Sequence, residues 1–370
     1  MNTAQRSEPQ SDRLMSIDAL RGFDMFWIIG GHGLVLSTLA LREEPLPDWL
    51  ARQFHHVRWE GFSAWDLIMP LFLFIVGTSM PFAFASRRRE RTTASLYLRI
   101  LRRVVVLFVM GMMVQGNLLA LELDKLVVFS NTLQAIAVGY LAAGLAVLHL
   151  PILGQLLLTI GLLVTYWLLM MFVPFGGHPA GTLEEGANLA LHVDHLVLGG
   201  YDDGKRYTWV LSGLGFAATV LMGVLSGHIL RSNRSPAKRT AYLCAAGLGC
   251  LLAGWLWSFH FPINKHLWSS SMALWAGGWC FLLLGLFYLV IDVWGCRRWA
   301  FPFVVVGMNA ITAYMAWHLI SFRTISDRLL EGLADHLGER GGACLLAAGP
   351  FVILWLILFH MYRNRTFLKV

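Results

Sequence analysis

The chain alternates long apolar segments with short polar ones. Ten segments are each about 20 mainly apolar residues long, which is the length that an α-helix needs to cross the hydrocarbon core of a membrane. They cover residues 17–40, 64–85, 100–121, 131–149, 152–173, 209–230, 240–259, 269–292, 301–322 and 343–362. The pattern predicts an all-α integral membrane protein, a bundle of about ten transmembrane helices.

The boundary at Leu150 and Pro151 decides the topology of everything that follows it. One long kinked helix here would reverse the side of every later loop, and the basic segment 231–239 would then face outwards. A two-residue turn is therefore favoured. The predicted organisation is a cytoplasmic tail at 1–16, a single transmembrane domain at 17–362 and a cytoplasmic tail at 363–370.

Composition and charge agree with this interpretation. The chain is 57% hydrophobic and only 14% charged, whereas soluble domains average about 25% charged residues, so soluble and disordered classes are excluded. With ten helices, 18 of the 29 Lys and Arg residues fall on the side of the termini and 10 on the other. Because cytoplasmic loops are enriched in basic residues, both termini are predicted to be cytoplasmic. The net charge of +7 is explained by topology, and no nucleic acid is expected.

The first predicted helix carries unusual polar residues. Asp18, Arg21 and Asp24 follow one another at spacings of three, which places them on adjoining faces of one helix. They form either a structural ion-pair cluster or a contact with a bound substrate or cofactor. Farther along, the sequence GGHG sets His32 among glycines that leave room for a ligand or another backbone.

The segment FHHVRWEGFSAWDLIMPLFLFIVG contains two histidines and an aspartate just before the second helix. A histidine accepts a proton near neutral pH, and a carboxylate within hydrogen-bonding distance of His56 would fix its tautomer. Asp66 is the carboxylate of this segment that could do so. The structural alternative is that Asp66 caps the helix while Trp59 and Trp65 anchor it at the membrane interface.

Two later segments add polar residues. In HFPINKHLWSSS, Asn264 and Lys265 stand beside Trp268, an arrangement of polar groups near an aromatic ring that resembles a carbohydrate site, although the serines could equally cap a helix. Asn309 interrupts an apolar span, where an asparagine is usually a hydrogen-bond partner between helices. The short HVDH sequence at 192–195 lacks further ligand spacing, so no metal is expected.

Five blocks, in this order along the chain, together resemble the heparan-alpha-glucosaminide N-acetyltransferase family, and its small bacterial NagX-like members most. They are SIDALRGFDMFWIIGGHG, HVRWEGFSAWDLIMPLFLFIVGTSM, NTLQAIAVGYL, PINKHLWSSS and VGMNAITAYM. The resemblance implies His56 and Asp66 as catalytic residues. It implies Asn264, Lys265 and Trp268, from the family's PxNKxLW motif, as substrate-binding residues. His32 stands where family members carry an asparagine.

The resemblance also implies the reaction and its partners. Acetyl groups would pass from cytosolic acetyl-CoA, a co-substrate, to the amino group of glucosamine or a terminal glucosaminide on the periplasmic side of a bacterial inner membrane. His56 would act as a general base or carry a covalent acetyl group. His32 and Asn309 join the expected substrate-binding residues, and Asp18, Arg21 and Asp24 the expected cofactor-binding ones. Membrane lipid is a further expected partner, and a homodimer is left open.

Two other functions fit the same residues. Charged residues within the membrane and the segment that resembles a carbohydrate site would also suit an amino-sugar permease. The sequence has no visible inverted repeat of the kind that many transporters carry. An O-acyltransferase of envelope glycans would use the same donor. Bound coenzyme A would separate the enzymes from the permease.

Overall fold

The chain folds into a bundle of long α-helices joined by short loops. The computed structural model describes residues 14–42, 44–88, 92–204 and 206–368. The predicted N-terminal tail up to residue 13, together with Arg89, Arg91 and Lys205, lies outside the described residues. About 76% of the structure is helical, which confirms the all-α membrane class.

The described residues form fifteen α-helices and one small β-hairpin. In chain order the helices are α1 (Met15–Phe26), α2 (His32–Leu39), α3 (Asp48–Ala51), α4 (Ile68–Arg88), α5 (Thr93–Gln115), α6 (Thr132–His149), α7 (Ile152–Phe172), α8 (Leu189–Leu198), α9 (Gly213–Arg231), α10 (Pro236–Ser258), α11 (Ser270–Phe287), α12 (Phe301–Met308), α13 (Ala310–Leu319), α14 (Phe322–His336) and α15 (Gly338–Arg363). The hairpin strands β1 (Leu183–Glu184) and β2 (Ala187–Asn188) lie between α7 and α8.

Seven helical segments of the described chain are long and apolar enough to cross a membrane. They are Ala64–Ala85, Thr132–His149, Ile152–Phe172, Gly213–Arg231, Pro236–Ser258, Ser270–Val293 and Gly338–Arg363. The bent pair α12 and α13 would add an eighth as a broken span. The predicted turn at Leu150 and Pro151 is confirmed, because α6 ends at His149 and α7 begins at Ile152. The count of ten spans and the side of the termini stay predictions.

The first predicted span is not a continuous helix. After α1 the chain makes a π-helical turn, in which Ile29 and Gly30 leave helical backbone angles before α2 begins at His32. Gly30 has φ +104°, a conformation that glycine adopts readily because it has no Cβ. The expectation of one helix over 17–40 is therefore wrong in this detail.

The predicted span 301–322 is also broken. Helices α12 and α13 meet at an angle of 67° at Asn309, whose backbone is not helical. The chain then forms α14, which packs along α15 in a segment that the sequence predicted to be a loop. The helix α13 contacts the π-helical turn after α1, so the two broken spans are neighbours.

Glycines bring these two spans into direct backbone contact. A Cβ on Gly22 would lie 1.7 Å from the carbonyl oxygen of Phe303, and a Cβ on Gly307 would lie 1.9 Å from the carbonyl oxygen of Asp18. Small residues allow such close approach between membrane helices. Helices α1 and α12 are therefore tightly packed against each other next to the two breaks.

Candidate active site

The segment between α3 and α4 holds a histidine and a carboxylate together. Ser63 and Asp66 form a capping box at the start of the 3-10 turn Ala64–Leu67, which leads into α4. Asp66 Oδ2 accepts hydrogen bonds from the Ser63 amide at 3.1 Å and the Ser63 hydroxyl at 2.9 Å. Asp66 Oδ1 lies 2.6 Å from His56 Nδ1. The carboxylate therefore both caps the helix and binds the histidine. Anchoring of the helix at the membrane interface by Trp59 and Trp65 stays a prediction.

A buried lysine completes this cluster. Lys265, in the loop between α10 and α11, has its Nζ 3.3 Å from Asp66 Oδ1 and 3.2 Å from His56 Nδ1. Burial lowers the pKa of Lys265 to about 8, while the charge of Asp66 acts in the opposite direction. When the imidazole proton is on Nδ1, it is donated to Asp66 Oδ1. The lone pair of His56 then resides on Nε2.

His56 and Lys265 both border a cavity of about 1020 Å³. The broken spans contribute Gly30 and His32 on one side and Tyr314 and His318 on another, so the helix breaks shape this space. This volume lies at the upper end of the range of about 300–1,000 Å³ typical of small-molecule pockets. The cavity beside His56 is therefore large enough to hold more than one small molecular group.

His32 lies close to the loop that carries His56. Its Nε2 is 2.9 Å from the carbonyl oxygen of Phe54, two residues before His56. Its ring centroid lies 4.1 Å from that of Trp65, which also faces the cavity. The His32 side chain thus joins the half-helix α2 to the loop that carries His56.

Asn264 and Trp268 are placed differently from the expected substrate contacts, and neither lines the cavity. Asn264 Oδ1 accepts the amide of Leu267 at 3.1 Å. Trp268 points into the core, where its Nε1 donates to Thr219 Oγ1 at 3.1 Å and its ring packs edge-on against Phe216. Trp268 therefore does not provide the expected aromatic surface beside polar groups, because its ring is packed in the core. Both residues instead hold the turn that carries Lys265.

The polar residues of α1 also lie away from the cavity. Arg21 binds Asp18 Oδ1 at 3.1 Å and Ser79 Oγ at 2.7 Å, which ties α1 to α4 and matches the structural alternative. Asp24 is buried, and neither carboxylate oxygen has a hydrogen-bond partner among the described residues. Asn309 is buried at the break between α12 and α13, and its Nδ2 donates to the Thr366 carbonyl oxygen at 3.4 Å. A role of these four residues in binding acetyl-CoA or the acceptor stays a prediction.

Sequence reasoning assigned no role to several residues of the cavity wall. Ser130, Tyr207 and Trp209 all face the cavity. Ser130 directly precedes the NTLQAIAVGYL block, and this position next to a family motif could have identified it. Tyr207 and Trp209 lie in a loop with no distinctive spacing, so only the fold brings them to His56.

Fold and site together define an α-helical membrane protein with a histidine–carboxylate pair beside a large cavity. A family model described as "Heparan-alpha-glucosaminide N-acetyltransferase, catalytic" matches residues 13–253, more than half of the chain, and the chain belongs to this family. His56 and Asp66 lie inside the matched range, and Lys265 lies beyond it.

Two curated relatives agree with the family match. The chain is similar to the heparan-alpha-glucosaminide N-acetyltransferase of Mus musculus, with 25% identity over 389 residues, and to that of Homo sapiens, with 25% identity over 385 residues. Each match covers 86% of this chain and 56% of the relative. The chain thus spans about half the length of the curated relatives it matches.

Proposed function

We propose that this protein is a membrane acetyltransferase that moves the acetyl group of acetyl-CoA to the amino group of glucosamine or of a terminal glucosaminide. The observation that carries the proposal is the 2.6 Å contact between His56 Nδ1 and Asp66 Oδ1 at the wall of a cavity of about 1020 Å³. Family membership supports the reaction, and the names of the mouse and human relatives support the class of acceptor.

His56 serves as the general base in this proposal. The neutral amine of the acceptor attacks the carbonyl carbon of the thioester, and Nε2 accepts one of its protons as the new C–N bond forms. When the C–S bond breaks, the same proton passes to the sulfur of coenzyme A. Asp66 stabilises the imidazolium that exists between these two transfers, through its bond to Nδ1.

Lys265 balances the charge of this arrangement. A buried carboxylate is costly unless it is paired and hydrogen-bonded, and Lys265 and Ser63 provide both conditions for Asp66. The lysine ammonium also keeps the cluster neutral before proton transfer begins. The sequence predicted that Lys265 binds the sugar. In this proposal Lys265 instead positions Asp66 and balances its charge.

The proposed orientation places both termini in the cytoplasm and the acceptor on the periplasmic side of a bacterial inner membrane. The single domain at 17–362 would receive acetyl-CoA from the cytosol. A reporter fused after residue 235, in the loop between α9 and α10, should be cytoplasmic. A reporter at residue 185, in the β-hairpin, should be external. The reverse labelling would contradict this orientation.

A transfer assay tests the reaction directly. Purified protein in liposomes is given acetyl-CoA labelled in the acetyl group together with glucosamine, and the products are separated by mass spectrometry. The expected product is labelled N-acetylglucosamine. A labelled O-acetyl sugar would instead favour the O-acyltransferase, and absence of any labelled sugar would refute the proposal.

An amino-sugar permease is the second candidate, and one observation favours it. Two neighbouring spans are broken, at Gly30 and at Asn309, and both border the cavity near their breaks. Secondary transporters often build substrate sites from such discontinuous helices. Uptake of labelled glucosamine into liposomes that contain no acetyl-CoA would support this function.

A further inference from the structure

The cavity has a second wall that the proposed reaction does not use. It is formed by the junction of α5 and α6 and by the segment 199–212, which joins α8 to α9. The residues of this wall that matter here are Ser130, Asp203, Tyr207 and Trp209, all of which line the cavity. We call this set the aromatic wall.

Ser130 has an unused hydroxyl group in the aromatic wall. The residue is only 5% exposed, and its backbone is fixed because its amide donates to Gln134 Oε1 at 2.8 Å. Its Oγ has no hydrogen-bond partner among the described residues. A buried hydroxyl without a partner is unfavourable, and a hydroxyl can both donate to and accept from a ligand.

Trp209 is held rigidly in the aromatic wall. Its indole Nε1 donates to Asp203 Oδ2 at 3.2 Å. The buried carboxylate of Asp194 accepts the backbone amides of Trp209 at 2.7 Å and Val210 at 2.8 Å. The ring also lies against Phe129, with centroids 5.3 Å apart. The indole is therefore held in a fixed position, with 5% of the residue exposed where it borders the cavity.

Tyr207 fixes the aromatic wall relative to the catalytic cluster. Its ring centroid lies 4.4 Å from that of His266, the neighbour of Lys265. The amide of Thr208 donates to the His266 carbonyl oxygen at 3.0 Å. A ligand held by Tyr207 and Trp209 would therefore keep a constant position relative to Lys265 and, through it, His56.

We propose that the aromatic wall binds the pyranose ring of the acceptor, with the half-buried Tyr207 ring, supported by Trp209, against its apolar face and the Ser130 hydroxyl bonded to a sugar hydroxyl. Ligand sites combine aromatic surfaces with a few placed polar groups, and a pyranose ring offers both an apolar face and hydroxyls. This inference rests on the proposed function. The competing occupant is the pantetheine arm of coenzyme A, but a rigid flat surface suits a rigid ring better than a flexible chain.

The test uses two serines of the same kind. Ser326 is also fully buried with an unpartnered hydroxyl among the described residues, but it lies in α14 and does not line the cavity. Ser130→Ala and Ser326→Ala each remove a hydroxyl that has no hydrogen-bond partner within the described part of the chain, so both variants should keep the wild-type melting temperature. Binding of glucosamine and of coenzyme A is then measured separately by calorimetry on the detergent-solubilised protein.

We expect Ser130→Ala to weaken glucosamine binding by a factor of about 2 to 12, the loss of one hydrogen bond, and to leave coenzyme A binding unchanged. Ser326→Ala should change neither affinity. Tyr207→Leu, which removes one ring, is the second variant and should weaken glucosamine binding as well.

Two other outcomes overturn the inference, and a third separates it from the proposed reaction. Weaker binding of coenzyme A with unchanged glucosamine binding would assign the aromatic wall to the donor. Unchanged affinity for both ligands in Ser130→Ala and Tyr207→Leu would exclude it from either site. Wild-type protein that binds glucosamine through Ser130 but transfers no acetyl group would refute the proposed reaction and leave the sugar site standing.

Discussion

The ammonium group of Lys265 lies 3.3 Å from the same oxygen of Asp66 that binds His56. The two side chains are only 8% and 2% exposed, so each charge depends on the other. Removing one partner of a buried ion pair leaves an uncompensated charge, which is strongly unfavourable. The proposed site therefore has a charge-balancing residue that comes from a distant part of the chain.

The lowered pKa of Lys265 predicts that acetyl transfer slows at high pH. Because burial lowers the pKa of Lys265 to about 8, the ammonium is charged below about pH 8 and neutral above it. Loss of this charge leaves Asp66 unbalanced, so we expect kcat/KM to fall as the pH rises through about 8. Lys265→Arg keeps its charge at every pH used and should move this fall to higher pH.

Lys265→Met serves as the opposite control, since it lacks the positive charge at all pH values and should be slow throughout. The rates are measured from about pH 6 to about pH 10, with thioester hydrolysis in the absence of protein subtracted. A fall near pH 8 that persists unchanged in Lys265→Arg would show that another group titrates.

His56→Ala tests the general base. We expect transfer to glucosamine to fall by a factor of about 10² to 10⁴, while coenzyme A binding and the melting temperature stay close to wild type. His55→Ala is the matched control, because the neighbouring histidine has no bond to Asp66 and its backbone contact with Ser63 Oγ survives the substitution. Equal activity of the two variants would remove His56 from the mechanism.

Asp66→Asn tests the orientation of the imidazole proton. The amide oxygen can still accept the capping bonds from Ser63, but Lys265 loses its buried ion-pair partner, so the melting temperature should fall. The new NH2 group then faces His56 Nδ1 and requires a lone pair there, which moves the imidazole proton to Nε2 and blocks the base. We expect a loss of up to about 10⁴-fold, as for the equivalent change in a serine-protease triad.

The measurement for Asp66→Asn is the single-turnover rate of acetyl transfer, with the melting temperature recorded alongside. Asp48→Asn, at the exposed start of α3, is the control and should keep wild-type activity. Near-normal turnover by Asp66→Asn would mean that the carboxylate only caps α4.

Gly30→Ala tests the break in the first span. Its φ of +104° is strained for any residue with a Cβ, and the new Cβ would lie 2.8 Å from the Trp317 ring. We expect a lower melting temperature, which thermal unfolding in detergent would measure. Gly33→Ala is the control: it lies in the helical α2 with nothing within 4 Å of its Cβ position, so stability should be unchanged or slightly higher. The idea fails if both variants melt alike.

The sequence alone determined the membrane class, the turn at Leu150 and Pro151, and the family. Each of these depends on a one-dimensional property: the length of an apolar run, a local interruption, or the order of motifs. It also brought His56 and Asp66 to attention, because a histidine and a carboxylate share one short segment that resembles a family motif.

Only the tertiary structure decided which polar groups meet and which direction each side chain takes. Lys265 reaches Asp66 from a different loop, while Trp268, three residues later, turns into the core. The helix breaks at Gly30 and Asn309 were equally hidden, because apolar composition is summed along the chain and does not register a bend. A buried charge is stabilised by whatever partner the packing supplies, so its partner cannot be read from sequence spacing.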